Sequence, residues 1–136
     1  MRLIVCVSNG NGMMFNHRRQ SKDRKVMQDI AERTAGKKIW MNAYSAQLFS
    51  EYGMENILVD EGFLSLAGKE DFCFWEGQDI LPYVKGVDQW ILYRWNRNYP
   101  MDVRFDEHLT DGFKLESSVD FAGSSHEKIT REVYVR

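Results

Sequence analysis

The chain reads as an α/β protein with a mostly parallel central sheet, helices on both faces and an antiparallel C-terminal edge. Three observations predict this. Short apolar runs alternate with amphipathic segments through the front of the sequence, the pattern of right-handed strand–helix–strand crossovers. The tail carries only β-branched, alternating runs, which read as an antiparallel pair. With 136 residues, 43% of them hydrophobic and 13% aromatic, the chain has material for one real core and a single domain over 1–136.

Leu3-Ile-Val-Cys-Val7 is a buried strand that stops at Ser8-Asn-Gly-Asn-Gly12, a tight, mobile loop. Ser21 is read as the N-cap of a helix through about Thr34, with Val26, Met27, Ile30 and Thr34 on its apolar face. Gly36 stops it, and Lys38-Ile-Trp-Met41 is a short buried strand. A second helix is expected from Ser45 to about Tyr52, closed by Gly53. Ile57-Leu-Val59 is a strand, 62–67 a helical turn, and Phe72-Cys-Phe-Trp75 another strand. A short helix over 80–84 tolerates Pro82 in its first turn. Gln89 to Trp95 is a strand, with Ile91 and Tyr93 on one face and Leu92 and Arg94 on the other, and 113–121 and 128–135 close the sheet.

The net charge of −2 and pI near 5.9 supply no global basic field for non-specific nucleic-acid binding. Cys6 and Cys73 lie in apolar runs, which fits free thiols in a reducing cytoplasm better than a disulfide framework. No basic leader with a long apolar stretch opens the chain, and no run reaches the roughly 18 apolar residues of a membrane span. His108, His126 and the cysteines lack metal-ligand spacing, so no metal site is expected.

The element order, with its punctuation residues, resembles the dihydrofolate reductase family over nearly the whole chain. The first strand with Asn11-Gly12 looks like the family's first strand and mobile loop. Thr34-Ala-Gly-Lys-Lys-Ile-Trp-Met41 is similar to its T-x-G-K-P-V-I-M segment, and Gly53-Met-Glu-Asn-Ile-Leu-Val59 to its G-R-x-N-I-V-L. Phe74-Trp-Glu-Gly-Gln-Asp-Ile80 stands where the family has a Gly-Gly ligand loop. Val87-Asp-Gln-Trp-Ile-Leu-Tyr93 and the terminal 127–136 resemble its last strands.

The resemblance implies a pocket at the C-terminal ends of the front strands. Asp23 would be the catalytic acid or proton relay, and Val7, Met14, Met27 and Tyr93 would bind substrate. Asn11, Gly12, Ser45, Trp75, Gly77 and Gln78 would hold a cofactor, NADH or NADPH, beneath a 9–20 lid. The family's anchors are altered, however. Met54 replaces the Arg that clamps a folate carboxylate, and a thioether cannot form that bidentate pair. Asn42-Ala-Tyr-Ser45 lacks the phosphate-binding Arg, although Ser45 and free amides could hold an anion there. Asp60-Glu61 would repel a 2′-phosphate, and Glu76 takes the place of the first loop glycine. Asp23 also has a simpler role, since a carboxylate favours the start of any helix.

Three functions follow. The first is a nicotinamide-dependent reductase of a small heterocycle, with the folate and NADPH anchors lost. The second is a non-catalytic homologue that binds a nucleotide or anion through Ser45 and the basic loop His17-Arg18-Arg19 with Lys22, Arg24 and Lys25, and needs no cofactor. The third is an RNA-directed hydrolase using His17 and His126, with a solvated loop as the plainer reading of the same cluster. A small-molecule partner is expected in preference to nucleic acid. The aromatic–basic stretch 90–99 is better explained as core plus sheet edge than as a base-stacking surface.

Overall fold

A computed structural model describes residues 1–136. Seven strands form the main sheet in the order β5-β4-β6-β1-β7-β10-β9: β1 (Arg2–Val7), β4 (Ile39–Met41), β5 (Ile57–Val59), β6 (Phe72–Phe74), β7 (Gln89–Arg94), β9 (Lys114–Phe121) and β10 (Ile129–Val135). The β1, β4, β5, β6 and β7 pairings are all parallel. β10 runs antiparallel to both β7 and β9, which gives the antiparallel edge that the tail predicts.

β1 sits at the centre of the sheet and is apolar on both faces, as a doubly covered parallel strand requires. Leu3, Val5 and Val7 pack with Phe63, Leu64, Trp90 and Leu92 on one side. Ile4 packs with Val26, Met27, Ile30, Ile91 and Tyr93 on the other. The second core lies under α1 (Arg24–Thr34) and α2 (Ala43–Leu48), and the first under α3 (Phe63–Leu66). The alternation expected along β7 is the one observed.

Two helix starts differ from the sequence reading. α1 is capped by Asp23, not Ser21, because the Asp23 Oδ1 accepts from the amides of Lys25 (2.9 Å) and Val26 (3.4 Å). α2 begins earlier than Ser45 because Asn42 accepts from the Ser45 amide, and it ends at Leu48 rather than Tyr52. The segment expected as a helix over 80–84 is a 3₁₀ turn, Leu81–Gly86.

The expected mobile loop after β1 is a structured hairpin. β2 (Gly12–Phe15) and β3 (Arg18–Arg19) pair antiparallel, and β2 also pairs with β8 (Val103–Arg104) to make a second, three-stranded sheet. Asn16 and His17 form its two-residue turn with φ of 51° and 62°. That left-handed pair matches the twist of a hairpin but strains a side-chain-bearing residue. His17→Gly is therefore expected to raise the unfolding free energy by about 0.5 kcal/mol in urea melts. A loss of stability would show that the His17 side chain makes a contact the hairpin needs.

Candidate functional site

The hairpin folds back over the C-terminal ends of β1 and β6 and closes a small cavity. Cys6, Met13, Met27, Phe74, Trp75 and Trp95 form its apolar walls, and Arg19, Gln20, Ser21, Lys22 and Glu76 its polar mouth. Its free volume is about 10 Å³, room for one water. Met13, rather than Met14, faces it: the two alternate along β2, and Met14 packs away beside Gly77.

One ion pair shuts the mouth. The Arg19 Nε and Nη2 donate to the two Glu76 oxygens at 2.9 and 2.8 Å. The side chains are only 19% and 10% exposed. The Ser45 hydroxyl donates to the same carboxylate at 2.7 Å, and the guanidinium lies 4.3 Å from the centre of the Tyr44 ring. Burial works against the Arg19 charge, yet the Glu76 pair more than offsets it and holds the guanidinium pKa above its ordinary value. Burial first, then the Glu76 charge, pushes the Cys6 thiol far above the usual thiol range, so it is an inert wall rather than a nucleophile.

Beside the cavity runs an open groove of about 380 Å³, lined by Lys22, Asp23, Arg24, Glu51, Ser124 and Ser125. Cavity and groove share Arg19, Lys22 and Leu48. Gln20 stands at the mouth of the cavity. Its Nε2 donates to the Pro100 carbonyl and the Ser8 hydroxyl, both at 3.0 Å, and the carbonyl fixes the orientation of the amide. Its Oε1 is buried without any partner.

Of the residues singled out from sequence, Met27, Trp75 and Glu76 line this cavity, Asp23 and Arg24 line the groove, and Arg19 and Lys22 line both. Asp23 is 2% exposed and fully engaged. Besides capping α1 it accepts from the amides of Ser124 (3.0 Å) and Ser125 (2.9 Å) and pairs with His126 Nδ1 at 2.9 Å. It has no free lone pair aimed at a cavity ligand. Tyr93 is buried under α1 with its hydroxyl on Asp29 at 2.6 Å and does not line the cavity. Val7 is a core residue of the opposite face.

The expected cofactor residues are occupied by the protein itself. Asn11 accepts from Arg94 at 3.1 Å. A Cβ on Gly12 would lie 2.6 Å from the Ser8 hydroxyl and 2.8 Å from Met101 Cβ, so no ligand atom can approach that backbone. Gln78 accepts from the Glu76 amide at 3.0 Å, Trp75 Nε1 donates to the Gln78 carbonyl at 2.8 Å, and Gly77 provides the left-handed turn between them with φ of 95°. At the start of α2 the Ala43 amide donates to Glu61 (2.9 Å) and the Ser45 amide to Asn42 (2.9 Å). A dinucleotide pyrophosphate therefore finds its expected donors taken, one of them by a carboxylate, and the residues present do not fit NADH or NADPH in the manner of the family.

The two histidines of the hydrolase reading are not brought together. His17 is exposed at the hairpin tip, whereas His126 is 4% exposed and bonded to Asp23, Ser21 and Tyr99. No group of three or more His, Cys, Asp or Glu converges as a metal site, and no helix is long and apolar enough to cross a membrane. The main residues missed from sequence are Arg19 as a buried lock, Glu76 as its partner, and Trp95 and Phe74 as cavity walls. An aromatic at each of two strand ends was the available signal for the walls.

No family model and no curated protein matches the sequence. Among solved structures the chain is similar to dihydrofolate reductase from Enterococcus faecalis complexed with NADP(H) and RAB-propyl. The superposition has a TM-score of 0.70 and covers 99% of this chain and 95% of that one, at 12% identity. Identity at that level speaks to architecture and not to chemistry. The strand order, the parallel core and the antiparallel edge agree with that likeness, and the chain carries the dihydrofolate reductase fold.

Proposed function

We propose that the chain binds a nucleotide-like ligand, a flat heterocycle bearing an anion, and does so without hydride transfer. One observation carries this reading: the aromatic cavity adjoins the charged groove, with Arg19, Lys22 and Leu48 lining both. Phe74, Trp75, Trp95 and Met27 suit the faces of a heterocycle, and the unpaired Gln20 Oε1 suits a donor on its edge. Lys22 and Arg24 suit the anion, with Arg24 only loosely held by Glu51 at 3.9 Å.

The cavity has room for no more than a water while Arg19 and Glu76 stay paired, so the ligand has to part them. A binding-competent state that is rarely populated weakens apparent affinity in proportion. An anion that takes Glu76's place on Arg19 recovers part of that cost. The occupied donors at the start of α2 favour this reading over the reductase. The NADP(H) in the similar structure is the observation on the reductase's side.

Trp75 and Trp95 make intrinsic fluorescence a direct probe. Mononucleotides are expected to quench it saturably and to bind more tightly than the free base or inorganic phosphate alone. Lys22→Ala should weaken mononucleotide binding about fivefold, the scale of one exposed charge contact. NADPH mixed with a pterin should keep its nicotinamide absorbance. Steady oxidation would establish the reductase instead, and a flat response to every mononucleotide would dismiss the binding reading.

A further inference from the structure

Ser21, His126 and Asp23 come from two segments more than a hundred residues apart, yet they stand in line. Asp23 Oδ2 lies 2.9 Å from His126 Nδ1, and His126 Nε2 lies 3.2 Å from the Ser21 hydroxyl. The carboxylate can only accept, so Nδ1 carries a proton, and in the neutral imidazole Nε2 is then the acceptor beside Ser21. The ring is clamped by stacking on Trp95, with centroids 4.6 Å apart and planes at 20°. The Asp23 and His126 side chains are 0% and 1% exposed, while Ser21 lines the cavity. The orienting pair is thus sealed, and Ser21 is the one of the three that lines the cavity.

Two further observations fit. The loop that delivers His126 wraps Asp23 so closely that a Cβ on Gly123 would lie 2.5 Å from the carboxylate and 2.8 Å from the His126 carbonyl, so only glycine permits it. The backbone amides of Ser21 and Lys22 donate to no protein acceptor, so both remain available to a ligand. Tyr99 is the competitor in the cluster. Its hydroxyl lies 2.9 Å from Nε2 and 3.2 Å from Ser21 Oγ, so it either donates to Ser21 and completes a relay or takes Nε2 for itself.

We infer that Ser21 is an activated serine that small carboxylic esters acylate, with His126 as general base and Asp23 as the residue positioning it. Ser21 Oγ bonds to the carbonyl carbon while its proton passes to His126 Nε2. The ester C–O bond then breaks, and the leaving alcohol takes that proton. Water attacks acyl-Ser21 with His126 again as base, releases the acid and restores the hydroxyl. The nucleotide reading calls on none of Ser21, His126 and Asp23, although both readings share the cavity and Trp95, so a covalent Ser21 adduct tests this inference apart from mononucleotide binding.

The test is covalent. The full chain is treated with p-nitrophenyl acetate and, separately, with an alkyl fluorophosphonate, and peptide mass spectrometry locates the adduct. One adduct on Ser21 is expected, with a burst of nitrophenol that Ser21→Ala abolishes. His126→Gln should slow acylation at least about 100-fold. Tyr99→Phe, which leaves Nε2 to Ser21 alone, should acylate at least as fast as the parent. Circular dichroism and Tm verify that each variant is folded. Acetylation confined to lysines, a Ser21 adduct at undiminished rate in folded His126→Gln, or no adduct on the folded parent would each overturn the assignment and leave the cluster as a structural hydrogen-bond network.

Discussion

Asp23→Ala is expected to lower the unfolding free energy by roughly 3–5 kcal/mol, the scale of losing a buried acceptor that several hydrogen bonds share. The carboxylate is 2% exposed and serves two distant segments at once. It caps α1 through Lys25 and Val26, a role worth about 1 kcal/mol. It also fixes the loop before β10 through the Ser124 and Ser125 amides and His126. Alanine leaves the buried His126 ring N–H and Val26 amide without this partner, at roughly 1–3 kcal/mol each, and the Ser124 and Ser125 amides to water. Asp23→Asn keeps the cap but loses the charge, so it should fall between the parent and Asp23→Ala.

The same carboxylate predicts a pH dependence. Burial alone would raise its pKa, but the Ser124 and Ser125 amides, followed by His126 and the Lys25 amide, hold it well below its ordinary value of 3.8. A carboxylate with a depressed folded pKa stabilises fully above its unfolded value and progressively less as pH falls toward the folded one. The contribution of Asp23 should therefore be complete at neutral pH and decline below about 3.8. Urea melts of parent and Asp23→Ala at neutral pH and near pH 3 measure this, and the gap between them should narrow in acid. A neutral-pH loss under about 1 kcal/mol would mean that neither cap nor loop depends on the carboxylate.

Glu76→Gln is expected to open the cavity mouth. It keeps the size of the side chain but removes the charge that Arg19 pairs with across 57 residues of sequence. The pair is mostly but not wholly buried, so the stability loss should lie near 2–3 kcal/mol, below that for a fully sealed pair. Arg19 is then free for a ligand anion, and mononucleotide affinity should rise on the order of tenfold as the open state gains population. The double replacement Arg19→Met with Glu76→Leu should recover most of the stability while losing that gain, since it fills the mouth with apolar atoms. Thermal melts and fluorescence titration read both effects. Unchanged stability and unchanged affinity in Glu76→Gln would show that the pair does not close the cleft.

The fold was legible where periodicity is strong. The run Leu3 to Val7, the Val26–Met27–Ile30–Thr34 face and the alternation of β7 each name their own secondary structure, because burial of one face imposes a repeat on the sequence. The hairpin at 12–19 was not legible. It is short, its turn uses Asn-His rather than Asn-Gly, and it is held by pairing with β8 nearly ninety residues away. The α1 cap was misplaced by two residues because Ser and Asp are equivalent cap formers. Ser21 is engaged by His126 instead, a partner that no local pattern announces.

The site divides in the same way. Apolar walls such as Met27 and Trp75 could be anticipated, since strand ends and helix faces converge there by topology. The roles of Arg19, Glu76 and His126 could not, and for Asp23 only its place at the start of α1 could. Each of these side chains is defined by which charged or polar group it meets, and those meetings span 57 residues for Arg19 with Glu76 and 103 for His126 with Asp23. The sequence by itself determined the layered sheet, its parallel centre and its antiparallel edge, because local hydrophobic spacing is enough to specify them. What no local pattern announces is that the cavity at the strand ends is shut by an internal ion pair and that Asp23 is spent on a cap and a histidine. Hydrogen bonds and ion pairs depend on ångström-scale positions that chain spacing does not encode.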